Sequence, residues 1–202
     1  QRESKAARDS AGILDASTLG KIDIQGTDAS EFLNRVYTNA WSKLEIGKCR
    51  YGLMLNEDGM VYDDGVTTRL DENHYIMTTT TGGAATVLGK LEDYLQTEWP
   101  ELDVYLTSVT DHYATISVCG PNSKKIIQKV IPEIDLSDKD FPHMSFKNSK
   151  IGKVKCRVMR ISFTGEQSYE INIQANYAKS VWENCMEAGK EFNITPYGTE
   201  TM

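Results

Sequence analysis

Two adjacent aspartates, Asp63 and Asp64, follow a tight turn in the stretch LNEDGMVYDD, residues 55–64. Asp58 and Gly59 are residue types that tolerate the positive φ of a hairpin turn, so the turn predicts a strand on either side of it. Aspartate is depleted in strands, and two in succession indicate that at least one has a specific partner or a chemical task. Because side chains alternate along a strand, the two carboxylates must point to opposite faces.

Asp64 shares its predicted strand face with Met60, Tyr62 and Val66. Apolar neighbours of this kind raise the pKa of a carboxyl group or demand a hydrogen-bond partner for it. The pattern alone favours a purely structural role, in which Asp63 pairs with a surface Lys or Arg and Asp64 caps a backbone amide. Two-carboxylate glycosidase chemistry is excluded, since neighbouring strand residues cannot aim both groups at one bond.

The other residues that could carry chemistry give no motif. A calcium-binding EF-hand loop with Gly59 at its sixth position would have Met54 and Gly65 where oxygen ligands are required. The four cysteines and three histidines are scattered without C-x-x-C spacing, which predicts reduced core thiols and neither a zinc site nor a Cys-His pair. The G-x-G-x-x-G and P-loop patterns are absent as well. We therefore expect no metal site and no Rossmann or P-loop nucleotide site.

Composition limits the function class further. The chain has 202 residues, a net charge of −7, 40% hydrophobic and 25% charged residues, which is ordinary for a globular protein. No basic run is longer than Lys124-Lys125, so nucleic-acid binding is not predicted. No apolar stretch could span a membrane, and the first residues lack the apolar core of a signal peptide. A cytoplasmic protein without nucleic-acid or membrane partners is expected.

Hydrophobic periodicity predicts alternating strands and helices in one domain, residues 1–202. Asp28 with Glu31 predicts a capping box at one helix start. The segments IQGTDASEFLNRV (24–36) and VCGPNSKKIIQKV (118–130) match in register, which predicts an internal repeat of about 18–99 and 100–190. Helices are predicted at 2–11, 28–38, 84–97, 121–131 and 176–190, and strands at 18–25, 50–55, 60–69, 74–81, 102–108, 112–119, 154–163 and 168–174.

Several long segments, in order, carry a family resemblance: GILDASTLGKIDIQGTDASEFLNRVYTN (12–39), CRYGLMLNEDGMVYDDGVTTRL (49–70), TTTTGGAA (78–85), LQTEWPELDVYLTSVT (95–110), SFTGEQSYEIN (162–172) and TPYGTETM (195–202). The chain resembles the C-terminal folate-binding region of sarcosine oxidase alpha subunits, which is similar to the glycine-cleavage T-protein (aminomethyltransferase). Its run TGEQS (164–168) departs from the TGEDG usual in T-proteins and favours the sarcosine-oxidase branch.

The resemblance implies an α+β, aminomethyltransferase-like folate domain, built from two related α/β subdomains with mixed, mainly antiparallel sheets. It implies that tetrahydrofolate takes up the carbon released by oxidative demethylation of sarcosine and leaves as 5,10-methylenetetrahydrofolate. Oxidation itself would occur at a flavin in a partner beta subunit, with further sarcosine oxidase subunits in the assembly. The alternatives are a glycine-cleavage aminomethyltransferase and a non-catalytic folate-binding regulatory homologue. The resemblance also implies that the chain is a fragment, which lacks part of the pocket wall and contains no flavin or NAD site.

The resemblance also implies site residues. Asp64, the second Asp of the family's D-D pair, is the expected catalytic group close to the folate nitrogens. The expected folate-binding residues are Asp64 itself, Tyr51, Thr78, Thr80, Phe163 and Glu170. Among them, Glu170 would recognise the donor-rich edge of the pterin. Many T-proteins have Tyr at the position of Phe163. Because Phe163 lacks the hydroxyl, it would contribute only stacking.

Overall fold

The computed structural model describes residues 1–201 and divides into two compact units. The middle unit is Thr18–Asp111, and the terminal unit combines Gln1–Ser17 with the chain from His112 onward. The elements are α1 (Arg2–Asp9), β1 (Gly12–Asp15), β2 (Gly20–Gln25), α2 (Ala29–Val36), β3 (Cys49–Leu55), β4 (Val61–Asp71), β5 (His74–Thr79), α3 (Ala84–Thr97), β6 (Tyr105–Ser108), β7 (Tyr113–Cys119), α4 (Ser123–Val130), β8 (Ser145–Ile151), β9 (Val154–Arg160), β10 (Ser168–Gln174), α5 (Ala178–Gly189) and β11 (Thr195–Pro196).

The middle unit is an antiparallel sheet with two helices packed against it. Its strand order is β3-β4-β5-β2-β6, so β4, which carries both aspartates, lies inside the sheet between β3 and β5. The apolar stripes of α2 and α3 pack with β2 and β5 into one core, because each helix buries only one face. Its fully buried side chains include Ile22, Ile24, Phe32, Leu33, Trp41, Tyr75, Met77, Val87 and Leu91.

The terminal unit contains a six-stranded sheet with the order β11-β1-β7-β10-β9-β8. All its pairs are antiparallel except β1 with β11. The side chains of α4 and α5 pack into a separate core with β7, β9 and β10. Two sheets, mixed and mainly antiparallel, confirm the predicted fold class. None of the described helices is long and apolar enough to cross a membrane.

Both units share the element order strand, helix, three strands, helix, strand, which is the order that an internal repeat predicts. One boundary differs from the prediction. Strand β6 pairs with β2 in the middle unit, so residues 105–108 belong to the first sheet and not to the second half of the repeat. The repeat itself stays a prediction.

Element positions were predicted well where the hydrophobic period is clear. The predicted helix 84–97 coincides with α3, and the predicted hairpin of 154–163 with 168–174 is the antiparallel pair β9 and β10. The short strand β1 and the polar strand β8, SFKNSKI, were not predicted. The sequence of β8 lacks apolar alternation because it lies at the edge of its sheet.

The predicted capping box is wrong in its side-chain contacts. Asp28 is the N-cap residue of α2, but its side chain makes no cap hydrogen bond. The Asp28 carboxylate instead accepts a hydrogen bond from the backbone N–H of Asp103 at 2.9 Å. Glu31 forms an ion pair with Arg35, one helical turn later. A tertiary contact has taken the carboxylate that would otherwise satisfy the free N–H groups at the helix start.

Candidate functional site

The strands β3 and β4 form the hairpin that positions the aspartate pair. Its turn closes with the backbone N–H of Gly59 donating to the carbonyl of Asn56 at 2.9 Å, and Gly59 has the positive φ of +80° that this turn requires. A register shift beyond Met54 leaves one extra residue, Tyr62, on β4. From Asp63 onward the side chains alternate regularly, so the two aspartates point to opposite faces as predicted.

Asp64 is partly exposed and is held by a neighbouring hydroxyl. The Tyr51 hydroxyl donates to Asp64 Oδ2 at 2.8 Å across the β3–β4 pair. This hydrogen bond is the main reason that the pKa of Tyr51 is raised. Tyr51 is itself 49% exposed, so its ring and the carboxylate beside it are both accessible at the surface of the middle unit. The structure thus brings together two of the predicted site residues.

Asp63 is the buried member of the pair, with only 3% of its surface exposed. The Thr80 hydroxyl donates to Asp63 Oδ1 at 2.6 Å, and the Thr80 backbone N–H points at the same carboxylate at 3.3 Å. The N-cap residue of α3, Gly83, lies directly beside this carboxylate, where the positive end of the helix dipole favours negative charge. Much of the TTTTGGAA segment therefore folds around Asp63.

The prediction for Asp64 holds in one respect only: the carboxylate has a hydrogen-bond partner, Tyr51, but its predicted apolar neighbours do not bury it. Met60 is 65% exposed and Tyr62 lies at the surface too, because the bulge and the turn carry this end of β4 into solvent. Burial acts on Asp63 instead and raises the pKa of that carboxyl, while the hydrogen bonds from Thr80 lower it in part. Sequence reasoning missed Asp63 as a site residue, although the adjacency of two strand aspartates was a signal for it.

The two predicted threonines make contacts within the middle unit. The backbone N–H of Val66 donates to Thr78 Oγ1 at 3.0 Å, so a side chain replaces a main-chain partner between β4 and β5. Thr80 is exposed, but its hydroxyl is engaged with Asp63 and also accepts the N–H of Gly83 at 3.2 Å. Both hydroxyls hold β4 in position in this structure.

Phe163 and Glu170 lie in the terminal unit. Phe163 is in the loop between β9 and β10 and is 76% exposed, so its ring is available for stacking. Glu170 lies on β10 opposite Ser117 and Met159, and it is 8% exposed. A buried carboxylate requires hydrogen-bond donors. The pKa of the Tyr197 phenol is raised mainly by burial and in smaller part by the charge of Glu170.

The buried carboxyl of Asp63 should make the stability of the protein depend on pH. Because the pKa of Asp63 is raised above its ordinary value of 3.8, the folded state takes up this proton before the unfolded state does. The protonated carboxyl therefore stabilises the folded state fully below pH 3.8. This stabilisation is lost as the pH rises through the raised pKa of folded Asp63. We expect the free energy of unfolding of wild type, relative to Asp63→Asn, to increase as pH falls from 7 to 3.8. Urea unfolding at a series of pH values measures this difference, and a difference independent of pH would contradict the prediction.

Comparison with known proteins places this geometry in a family. The GCVT N-terminal domain model matches residues 1–202. The sarcosine oxidase alpha subunit of Corynebacterium sp. (strain U-96) is 56% identical over 202 residues, covering 100% of this chain and 21% of the relative. The same subunit of Rhizobium meliloti (strain 1021) is 50% identical over 204 residues, again covering 21% of the relative. The chain thus spans about a fifth of the length of these relatives.

Aminomethyltransferases are more distant relatives. That of Thermoanaerobacter sp. (strain X514) is 32% identical over 197 residues, covering 97% of this chain and 52% of the relative. The crystal structure of glycine cleavage system aminomethyltransferase T from Bartonella henselae superimposes with a TM-score of 0.84 at 22% identity, covering 99% of this chain and 51% of that one, which shows the shared fold. The resemblance found in the sequence is confirmed, and the chain belongs to the GCVT N-terminal domain family.

Proposed function

We propose that this chain is the tetrahydrofolate-binding, one-carbon-transfer region of a sarcosine oxidase alpha subunit. In this proposal, the carbon released by oxidative demethylation of sarcosine becomes the methylene group of 5,10-methylenetetrahydrofolate. The amine is oxidised at a flavin in a partner beta subunit, within a cytoplasmic assembly that contains the other subunits. Similarity over the whole chain at 56% identity to a sarcosine oxidase alpha subunit supports this choice.

The hydrogen bond from Tyr51 to Asp64 is the structural observation that carries the proposal. A partly exposed carboxylate, fixed by one hydroxyl and flanked by an accessible aromatic ring, fits a planar ligand that carries N–H groups. Folate supplies the nitrogens that take up the one-carbon unit. Asp64 accepts a proton released there or stabilises developing positive charge, and Tyr51 keeps its carboxylate oriented.

The remaining predicted residues are assigned roles in binding. Glu170 is proposed to accept hydrogen bonds from the pterin, and the exposed ring of Phe163 is proposed to stack on the ligand. Thr80 is an exposed residue, and its hydroxyl, which donates to Asp63 in this structure, is proposed to face the pterin. The main-chain groups of Thr78, whose side chain is used between β4 and β5, are proposed to face the pterin.

An aminomethyltransferase of glycine cleavage is the second candidate, and the 32% identity to such enzymes supports it more weakly. A non-catalytic folate-binding regulator is the third, and the intact carboxylate of Asp64 speaks against it. The presence of a flavin-bearing beta subunit or of a lipoyl carrier protein as the physical partner separates the first two candidates.

Folate binding tests the proposal through the β3–β4 hairpin. Tetrahydrofolate added to the full-length protein should protect amides of residues 49–71 in hydrogen–deuterium exchange, while those of α4 stay unchanged. Tyr51→Phe removes the hydrogen bond to Asp64 and should weaken binding by about 5-fold, the effect of one hydrogen bond. Tyr62→Phe, on the same hairpin, is the matched control and should bind as wild type. A hairpin that gains no protection at saturating folate would refute the proposed site.

A further inference from the structure

Positive charge is concentrated on the hairpin formed by β8 and β9 in the terminal unit. Residues 145–160 include six basic and no acidic residues, although the whole chain has a net charge of −7. The six are Lys147, Lys150, Lys153, Lys155, Arg157 and Arg160. Lys150, Lys153 and Lys155 form no ion pair with any residue that the structure describes. Their charges are therefore available to an anion from outside the unit.

The register of the hairpin places two of these lysines directly opposite each other. Lys150 on β8 pairs with Lys155 on β9, and Asn148 pairs with Arg157 two residues further along. Because side chains alternate along a strand, these four lie on one face of the sheet. It is the face opposite to the helix-covered core, which contains Cys156 from β9. Like charges directly opposite in an antiparallel pair destabilise it, so the lysine pair has a cost that folding does not explain.

The same residues line a cavity of about 690 Å³. This volume lies within the range of about 300–1,000 Å³ that is typical of small-molecule sites. The polar side chains of the lining come from Tyr113, Glu133, Asn148, Ser149, Lys150, Lys155, Arg157 and Asn172. Three cationic groups thus face one carboxylate, and two amides lie among them. A lining of this kind favours a ligand with more than one negative charge.

Two groups of the lining are held in place by neighbours. The Arg157 guanidinium lies over the Phe146 ring, 5.4 Å from its centroid. The Thr115 hydroxyl donates to Asn172 Oδ1 at 2.7 Å, which fixes the orientation of that amide. Asn172 Nδ2 is buried and makes no hydrogen bond within the described residues. Since buried donors are almost always paired in folded proteins, this one agrees with a site that lacks its acceptor.

We propose that this basic face of the β8–β9 hairpin binds a small molecule that carries two or more carboxylates. The planar guanidinium of Arg157 binds one carboxylate through two parallel N–H donors, and the ammonium groups of Lys150 and Lys155 bind a second. The bound carboxylate also removes the repulsion between the two lysines. Two sources supply this chemistry: a free oligocarboxylate and the glutamyl tail of the proposed folate.

The folate source follows from the position of Glu170, the residue proposed to accept hydrogen bonds from the pterin. Glu170 pairs with Met159, which lies four residues after Lys155 on β9 and on the same face. At about 3.4 Å per residue, the separation along the strand is about 14 Å. A folate carries its glutamyl carboxylates at the end opposite to the pterin, beyond the benzoyl ring. Only this choice of source rests on the proposed function.

Calorimetric titration of the full-length protein, in its assembled enzyme, with γ-linked triglutamate tests the site. We expect saturable binding that weakens as the NaCl concentration rises. Lys150→Gln and Lys155→Gln should each weaken binding by about 10-fold, the effect of one hydrogen bond to a charged group. Lys153→Gln is the matched control, because it removes the same charge from the turn of the same hairpin, outside the cavity lining. It should bind as wild type.

Three results of this titration would overturn the inference. The first is an absence of triglutamate binding, and the second is an equal loss of affinity in Lys153→Gln and Lys155→Gln, which indicates unspecific attraction to the hairpin. The third is a single-stranded oligonucleotide that binds more tightly than triglutamate and loses affinity in the same variants, since the hairpin would then bind nucleic acid.

The stability of the free hairpin gives an independent test. Without a ligand, Lys155→Gln should increase the protection of residues 145–160 in hydrogen–deuterium exchange by about 2-fold, because it removes the repulsion from Lys150. Triglutamate should protect wild type more than this variant. A free Lys155→Gln hairpin that is less protected than wild type would show that the lysine pair serves the fold, and the inference would fail.

Tetrahydrofolate distinguishes the two sources and separates this inference from the proposed function. If the tail of folate is the ligand, Lys155→Gln should weaken tetrahydrofolate binding by about 10-fold, and triglutamate should compete with it. If the ligand is a free oligocarboxylate, tetrahydrofolate should bind Lys155→Gln as it binds wild type. Triglutamate binding with the expected variant effects, but without any tetrahydrofolate binding, would refute the proposed function and leave the carboxylate site in place.

Discussion

Asp64→Asn is expected to slow carbon transfer to folate by about 10²-fold, the effect of losing a general base, while amine oxidation continues at the wild-type rate. The variant keeps the size of the side chain and can still accept the hydrogen bond from Tyr51. It loses the charge that takes up a proton or stabilises a cationic centre. The oxidised carbon should then leave as formaldehyde, because hydrolysis competes once transfer is slow.

Flavin turnover, formaldehyde and methylenetetrahydrofolate are measured together in the assembled enzyme. Glu57→Gln is the matched control, because Glu57 is an exposed carboxylate in the turn of the same hairpin. Its product ratio should equal that of wild type. If Asp64→Asn also keeps the wild-type ratio of folate product to formaldehyde, Asp64 has no part in the transfer, and its contact with Tyr51 is structural.

The fold was predictable wherever one face of an element is apolar. The stripe Val87, Leu88 and Leu91 located α3 to the residue, and Asp58-Gly59 located the hairpin. The polar edge strand β8 could not be predicted from apolar periodicity. Its pairing with β9 depends on main-chain hydrogen bonds, which any sequence can form. The Asp28 cap failed for a related reason: its partner, Asp103, is distant in sequence.

The opposite orientation of Asp63 and Asp64 was predictable from the sequence, but their hydrogen bonds were not. Alternation along β4 separated Asp63 from Asp64 correctly, yet it could not say which of them is buried. Burial depends on the turn after β5, where Thr80 meets Asp63, and on the bulge at Tyr62.

Gly65→Ala is expected to destabilise the middle unit by about 3 kcal/mol, the upper end of the cost of overpacking. A Cβ atom at this position would lie 1.9 Å from the main-chain carbonyl oxygen of Thr78, far inside any tolerable contact. A main-chain group cannot rotate away as a side chain can, so β4 and β5 must separate. The hydrogen bond from Val66 to the Thr78 hydroxyl should break with them.

The same displacement should reach the aspartate pair, because Gly65 directly follows Asp64 on β4. We therefore expect Gly65→Ala to lose folate protection of the hairpin as well as stability, measured by urea unfolding and hydrogen–deuterium exchange. Gly89→Ala in α3 is the control: its Cβ would meet nothing within 4 Å, and a helix-interior alanine should add about 0.5–1 kcal/mol. If Gly65→Ala has wild-type stability, β4 can move away from Thr78 at no cost. The close approach of β4 and β5 would then not be needed to hold Asp64 in position.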